Sequence, residues 1–591
     1  MPSESPSAVT VFFRRFFIAV GVMTTLLFLT AAALVAHALR PMAMPDKILL
    51  TYNFKSSLPE VPLHPSLSNP TLHVGPTFHD VAQALQDAAS DARVKGFAAR
   101  IEDGARFSAA QVQELRDLIH KFRKAGKFAT VYSSGFSGPG MSNYYLAASF
   151  DTLWLQPVGV VAINGVGAEV PFVKGLLDKV GVNAQFNHKG IYKSAPESLT
   201  RTGMSAPHRE MMNALIGDLA GQMEAGISAD RKISPEDLRR KMDGSPFGDA
   251  EALKEKLVDR VGYADEMLDD AKKLAGVDDD GVVTLGDYDP PKPGDRPGAR
   301  KYPDKKDAKI ALITGTGDIV AAGDRSDMAA DKMVSAFREA MKDKDVAAVV
   351  FRIDSPGGSP EAAESIRRAV IETQKKGKPV VVSMGGYAAS GGYWVATPAD
   401  KIVAEPATIT GSIGVFGGKI EVSGLWSKLG VNWDSVAEGQ NALMWSSNRP
   451  FTEAEMARFE SMLDGIYSGF IARVAEGRHL TKAQVEAVAE GRVWTGRQAK
   501  ERGLVDDLGG LDLAVAHAKR LAKLDPLQDI PLVEFPAPKS PLQLLASLAK
   551  NDEEDVSVFP LDLSADDVFK AALNRLRAQN GILRLPYMAV N

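Results

Sequence analysis

The chain has 591 residues, too many for one hydrophobic core at about 150 residues per domain, and its 45% hydrophobic and 24% charged content is that of a folded globular protein. Its net charge of -5 excludes the basic stripe that nucleic-acid binding requires, and the absence of cysteine excludes disulfides, thiolate catalysis and cysteine metal sites.

The first predicted element is apolar. Phe16 to Ala36 carries no charge over 21 residues, enough at about 1.5 Å per residue to cross a hydrocarbon core of about 30 Å. Arg14 and Arg15 precede it in a very short tail, so the positive-inside rule keeps the N-terminus cytoplasmic and sends the remaining chain across the membrane. Residues 1–46 are therefore expected to form a tail and a single-pass transmembrane anchor. Ala36-His37-Ala38 also has the small-x-small form of a cleavage site, but the apolar run exceeds the usual h-region of about 7 to 15 residues.

From Lys47 the pattern becomes an alternation of strands and helices. Strands are predicted at Gly96 to Ile101, Phe128 to Tyr132 and Thr152 to Gln156, helices at Phe78 to Ala92, Ala109 to Ala125 and Val173 to Val180. Such βα alternation predicts an α/β domain with a mostly parallel sheet over 47–286. Residues 287–308 bring prolines 290, 291, 293, 297 and 303 among charges and read as an exposed linker. A second α/β domain follows over 309–540. Beyond it lies a C-terminal extension, 541–591, with an acidic run at 552–555 and an amphipathic helix predicted at Ala565 to Ala578.

The second domain repeats the first. ARIEDGARFSAAQVQELRDLIHKFRKAGKFATVYSS aligns with FRIDSPGGSPEAAESIRRAVIETQKKGKPVVVSMGG, YYLAASFDTLWLQP with YWVATPADKIVAEP, and LLDKVGVN with LWSKLGVN, the last two at an offset of 249 (Asp151 to Asp400, Asn183 to Asn432). The tails GDAEALKEKLVDRVGY and GRQAKERGLVDDLGG also correspond. Two copies of one domain, related by duplication, account for matches over so long a stretch.

The halves differ where chemistry would sit. In the second, the apolar run ending at Ala389 meets Ser390, then Gly391 and Gly392 before Tyr393 to Ala396. Strand, tight turn and helix start would display a nucleophile, with small neighbours admitting a carbonyl and N–H groups facing developing negative charge. A glycine-rich packing turn would have the same composition. The first half has Met141 in register, with Ser142 one place on. A serine nucleophile needs a base, yet the two histidines that follow, His479 beside a helix start and His517 in a predicted surface helix, suggest no triad. A buried lysine can serve instead. Lys193 stands in the first-half loop KGIYKSAPESLTR, opposite Ala442 in a lysine-free stretch of the second half. Each half lacks what the other has. Asp354, ending a strand in IDSPGG, is expected to order its turn rather than complete a triad.

The motifs DSPGG (354 to 358), MGGYAASGGYW (384 to 394), ADKIVAEPATITGSIGV (399 to 415), GRVWTGRQAKERGLVDDLGG (491 to 510) and YKSAPES (192 to 198) together resemble the signal peptide peptidase A family in its long bacterial form with a duplicated domain. The resemblance covers nearly the whole chain from the apolar N-terminal segment to about residue 525. It implies two tandem domains of Clp protease/crotonase fold and a membrane-anchored serine endopeptidase with a Ser/Lys dyad, Ser390 as nucleophile and Lys193 as general base. Backbone N–H groups of Gly391 and of Gly357 or Gly358 are implied as the oxyanion hole, and Ser412 as the residue that orients the lysine. It further implies a homotetramer at the bacterial inner membrane, with its catalytic domains on the periplasmic side, degrading cleaved signal peptides. No metal cluster or Walker motif is evident, and no cofactor is expected. An acyl-coenzyme A enzyme of the crotonase kind and a non-catalytic membrane scaffold are the alternatives.

Overall fold

A computed structural model describes residues 21, 23–25, 30, 44–62, 75–138, 140–291, 308–323, 327–525 and 530–536. The N-terminal apolar run falls almost wholly outside the described residues, as do most of the linker and the whole C-terminal extension. Among the described residues no helix is long and apolar enough to cross a membrane.

Two mixed α/β units follow one another, each built on a sheet of parallel strands. The first sheet runs, from edge to edge, Arg260–Val261, Thr152–Leu155, Phe128–Ser133, Val94–Ile101, Ile48–Phe54 and Val282–Thr284. The second contains the same order: Asp507–Leu508, Lys401–Ala404, Val380–Ala389, Val346–Ser355, Lys309–Thr316 and Leu532–Glu534. Both sheets are covered on two faces, so their central strands read as near-continuous apolar runs, AVVF and VVV in the second half. Phe97 and Phe122 pack edge to face in one core, Phe337 and Phe351 in the other. Helix starts follow capping rules: Ser108 and Gln111 form a reciprocal box before Ala109–Lys124, and Ser359 caps Pro360–Lys375 with proline in its first turn.

The halves are not independent. Strand Asn183–Lys189 of the first leaves its own sheet and pairs antiparallel with Val415–Glu421 of the second, Asn183 opposite Glu421 and Lys189 opposite Val415. Gly181 and Gly424 lie back to back beside this arm, where a Cβ on Gly181 would stand 2.5 Å from the Gly424 carbonyl carbon. Between the bodies of the halves, the guanidinium of Arg352 donates to both oxygens of Glu60 at 3.0 Å and to Ser383 Oγ at 2.9 Å, and pairs with Glu114 at 3.1 Å. Glu114 also accepts from the Leu511 N–H at 2.6 Å. Arg352 is 2% exposed. Burial pushes the Glu114 carboxyl up, and the Arg352 charge opposes that shift.

Removing one partner of a buried ionic set leaves the others uncompensated, a cost of about 3–5 kcal/mol. Arg352→Met is therefore expected to lower stability by about that amount, read as a fall in the midpoint of denaturant unfolding. An unchanged midpoint would mean that the contact between the halves does not depend on this ionic set.

Candidate active site

The central strand Val380–Ala389 delivers Ser390 to the start of the short helix Gly391–Ala396. Ser390 has φ 54° and ψ −115°, a sparsely populated conformation for a residue with a side chain. Hydrogen bonds hold it there: its N–H donates to the Gly411 carbonyl, and its own carbonyl accepts from the Trp394 N–H, both at 2.9 Å. The following glycines are required by space, since a Cβ on Gly392 would meet the Ser355 carbonyl oxygen at 2.7 Å. Met141, the first-half counterpart, has φ −106° and is buried among apolar side chains. The duplicated turn has thus relaxed where it carries no hydroxyl.

Lys193 reaches this serine from the other half. Its Nζ lies 3.0 Å from Ser390 Oγ, 2.9 Å from Ser412 Oγ and 3.1 Å from the Ser412 carbonyl oxygen. The residue is 4% exposed, and burial alone brings its amine down to about 7. A neutral amine has two N–H donors and one lone pair. The two contacts with Ser412 can take the donors, which leaves the lone pair facing the Ser390 hydroxyl. Ser412 itself is held at φ 51°, its N–H donating to the Arg492 carbonyl at 2.8 Å.

The DSPGG turn lies against Ser390. A Cβ on Gly357 would come within 2.8 Å of Ser390 Cβ, and one on Gly358 within 2.1 Å of the Ile319 carbonyl oxygen. The two glycines differ in their donors. The Gly357 N–H donates to Ser355 Oγ at 3.1 Å, whereas the N–H groups of Gly358 and Gly391 meet no acceptor among the described residues. Gly358 N lies 3.0 Å from the point a Gly391 Cβ would occupy, so the backbones of these two glycines lie close together beside Ser390.

Asp354 accepts the Tyr387 N–H at 2.8 Å, tying the end of one central strand to the bend in the next. Burial first, then the charge of Glu60, raises its carboxyl to about 6. His479 terminates the helix Glu453–Arg478 in a left-handed conformation. His517 is buried, contrary to its expected surface helix, because its helix packs on the sheet and its ring lies 3.1 Å from Asp507. Neither histidine contacts Ser390.

Sequence reasoning missed the segment that holds the lysine in place. The Glu490 carbonyl accepts the Tyr192 N–H at 2.8 Å, and its carboxylate accepts the Ile191 N–H at 3.1 Å. Gly491, at φ 75°, presses so closely that a Cβ there would stand 2.6 Å from Lys193 Cβ. The Arg492 guanidinium lies over the rings of Tyr192 and Trp494 at 4.6 and 4.7 Å and pairs with Glu210 at 2.8 Å. One turn therefore grips the lysine loop on one side and Ser412 on the other. The signal was the GRVWTG run, whose glycine has a mechanical reason to be there.

The family model described as peptidase family S49 matches residues 121–278 and 372–525, one region in each half. A protein named protease 4 from Salmonella typhi is 35% identical over 475 residues, 77% of this chain and 75% of that one. A chloroplastic serine protease SPPA from Arabidopsis thaliana is 31% identical, over 79% of this chain and 69% of its own. Among solved structures, a mutant ClpP1 from Listeria monocytogenes superposes with a TM-score of 0.24 at 15% identity, covering 34% of this chain and 94% of its own.

Proposed function

The chain belongs to peptidase family S49 and is a serine peptidase, and from that premise we propose that it is a membrane-anchored endopeptidase that uses a Ser390/Lys193 dyad to degrade cleaved signal peptides and other apolar peptides. The observation that carries this reading is the buried Lys193 amine 3.0 Å from the Ser390 hydroxyl, which lies at a strained strand-to-helix turn.

The steps follow from the groups present. Neutral Lys193 takes the Ser390 proton as Oγ attacks the peptide carbonyl. The N–H groups of Gly391 and Gly358 receive the oxyanion, while Gly357 holds the turn through Ser355. Loss of one such donor costs about 100 to 1000 fold in turnover in comparable sites. The protonated lysine then donates to the leaving amine, and water repeats the cycle on the acyl-enzyme. Ser412 orients the amine throughout.

The apolar Phe16 to Ala36 run anchors the chain in the inner membrane with both domains on the periplasmic side, within reach of peptides left in the bilayer. The domains take the Clp protease/crotonase fold, and the assembly is a homotetramer.

The test is hydrolysis of an apolar fluorogenic peptide by the full chain purified in detergent, followed against pH. Only the neutral amine can accept the proton, so kcat/KM is expected to rise with pH through about 7 and to fall about tenfold per pH unit below it. A profile flat between pH 5 and 9 would exclude a lysine base. An enzyme inert toward varied peptides, and unreactive with a serine-directed acylating probe, would overturn the proposal.

A further inference from the structure

The strand that carries Ser390 does not run straight to it. Val380–Ala389 pairs in parallel with Val346–Ser355 as far as Ile353 opposite Met384, and the next pairing is Ser355 opposite Ala388. Asp354 alone therefore faces Gly385, Gly386 and Tyr387, a bulge that takes this stretch of backbone out of the ladder. Its carboxylate fills the gap, accepting the Tyr387 N–H at 2.8 Å and the Gly386 N–H beside it. Two glycines let the chain pass so close. A Cβ on Gly385 would stand 3.2 Å from Asp354 Cβ, and one on Gly386 2.9 Å from Oγ of Ser108, the cap of the first-half helix Ala109–Lys124. At the bulge the strand changes neighbours, leaving Lys401–Ala404 after Met384 and joining Ile409–Gly411 from Tyr387. That second ladder ends beside Ser390, whose N–H reaches the Gly411 carbonyl.

The half without the serine has neither the bulge nor the brace. At the offset of 251 that relates Gly126 to Gly377, strand Phe128–Ser133 stops at the position matching Met384. Glu102, opposite Asp354 in the repeat, accepts from the Asn53 side chain at 3.0 Å. The brace goes with the serine rather than with the fold.

We propose that Asp354 is a positioning residue: by holding the Gly386 and Tyr387 N–H groups it sets the separation between the Gly358 and Gly391 N–H groups, and so how closely the oxyanion fits between them. This inference rests on the Ser390/Lys193 reading and deepens it. Asp354 stands four residues before Gly358 on one segment, and Tyr387 four before Gly391 on the other, so one carboxylate ties together both arms of the cradle. Misplacing a reacting group by about 1 Å can cost about 100 fold in rate.

Protonation weakens this brace without a mutation. Burial first, then the charge of Glu60, brings the Asp354 carboxyl up to about 6, against the pull of its backbone donors and of Arg352. Glu60 and Arg352 are paired with each other, Glu114 shares Arg352, and burial pushes the nearby His79 ring toward its neutral form. Lys193 owes its shift to burial alone, so the charge on Asp354 does not set it.

Asp354→Asn keeps the size of the side chain and a neutral acceptor oxygen, and removes the charge. Hydrolysis of an apolar fluorogenic peptide by the full chain in detergent is compared for the unmodified protein and this variant from pH 5 to pH 8. Above pH 7 the variant is expected to lose about tenfold in kcat with KM unchanged, since charge-assisted hydrogen bonds are roughly twice as strong as neutral ones. At pH 5 the two are expected to agree within about twofold, because a protonated aspartate offers the same kind of acceptor as asparagine. The ratio of their kcat/KM values thus titrates near pH 6. In the unmodified protein this adds up to about tenfold to the fall set by Lys193, which is common to both proteins and cancels in the ratio. A brace that only supports the fold would leave the variant unfolded, or folded with a ratio that does not change with pH. Either result overturns the inference, as does a rise in KM with kcat intact. With Ser390→Ala inactive, such a result leaves the dyad standing; turnover by Ser390→Ala would overturn the dyad and this inference together.

Discussion

Ser390→Ala is expected to lower kcat by roughly 10⁴ to 10⁶ fold while leaving KM and the unfolding midpoint nearly unchanged. The substitution removes one oxygen atom from a turn held by its backbone: the N–H to Gly411 and the carbonyl to the Trp394 N–H are untouched. Alanine still has to adopt φ 54°, as serine does, so the local strain carries over. What remains is a cradle that binds peptide without attacking it. Peptide binding measured by fluorescence anisotropy should therefore persist while turnover vanishes. Retention of more than a few per cent of kcat would place the nucleophile elsewhere.

Lys193→Ala should fail by a similar factor, for a different reason. With the amine gone, the Ser390 proton has no acceptor, and Ser412 loses both of its contacts with the lysine. A conservative change separates charge from basicity. Lys193→Arg keeps a cation but supplies a group that stays protonated at any working pH, so it should be as inactive as alanine. The two residues act as one unit, and the Ser390→Ala/Lys193→Ala double variant should be no slower than either single variant within a few fold. Independent, multiplying losses would mean that the two side chains serve different steps.

Stability and activity part company at this lysine. Its amine is held near 7 in the folded protein against about 10.4 in the unfolded chain, so the folded state binds fewer protons between those values. Stability conferred on the neutral form rises as pH increases from about 7 toward about 10. Lys193→Met, which fills the same space without a titrating group, should abolish activity and flatten that part of the stability profile.

Much of the site could be read from residue types alone. The duplication made the halves a mutual control: a serine opposite Met141 and a lysine opposite Ala442 stand out because each should have had a twin. Strand and helix positions near 94–101, 109–124 and 128–133 followed from apolar periodicity, with ends shifted by a few residues where caps rather than pattern set the boundary. Other features were not legible because they depend on partners hundreds of residues away. Nothing in NAQFNHK announces that it pairs with VFGGKIE, since both segments are short and half polar. The choice between Gly357 and Gly358 turns on one bond from Ser355. The buried ionic set around Arg352 joins Glu60, Glu114 and Arg352, which lie far apart in sequence, and His517 read as a surface residue because its burial comes from how its helix meets the sheet.

The proposed base and nucleophile stand 197 residues apart, on opposite sides of a proline-rich segment. A chain synthesised from its N-terminus delivers the amine first, into a half that offers it only Met141 where a hydroxyl would be. The serine is made later, and the contacts that bring the amine to it are the pairing of 183–189 with 415–421 and the hold of the 490–492 turn on the lysine loop. If Ser390 and Lys193 act as a dyad, proteolytic competence requires both halves to be folded and docked. A molecule that has only its first half would then hold the amine of Lys193 and no Ser390 hydroxyl for it to activate.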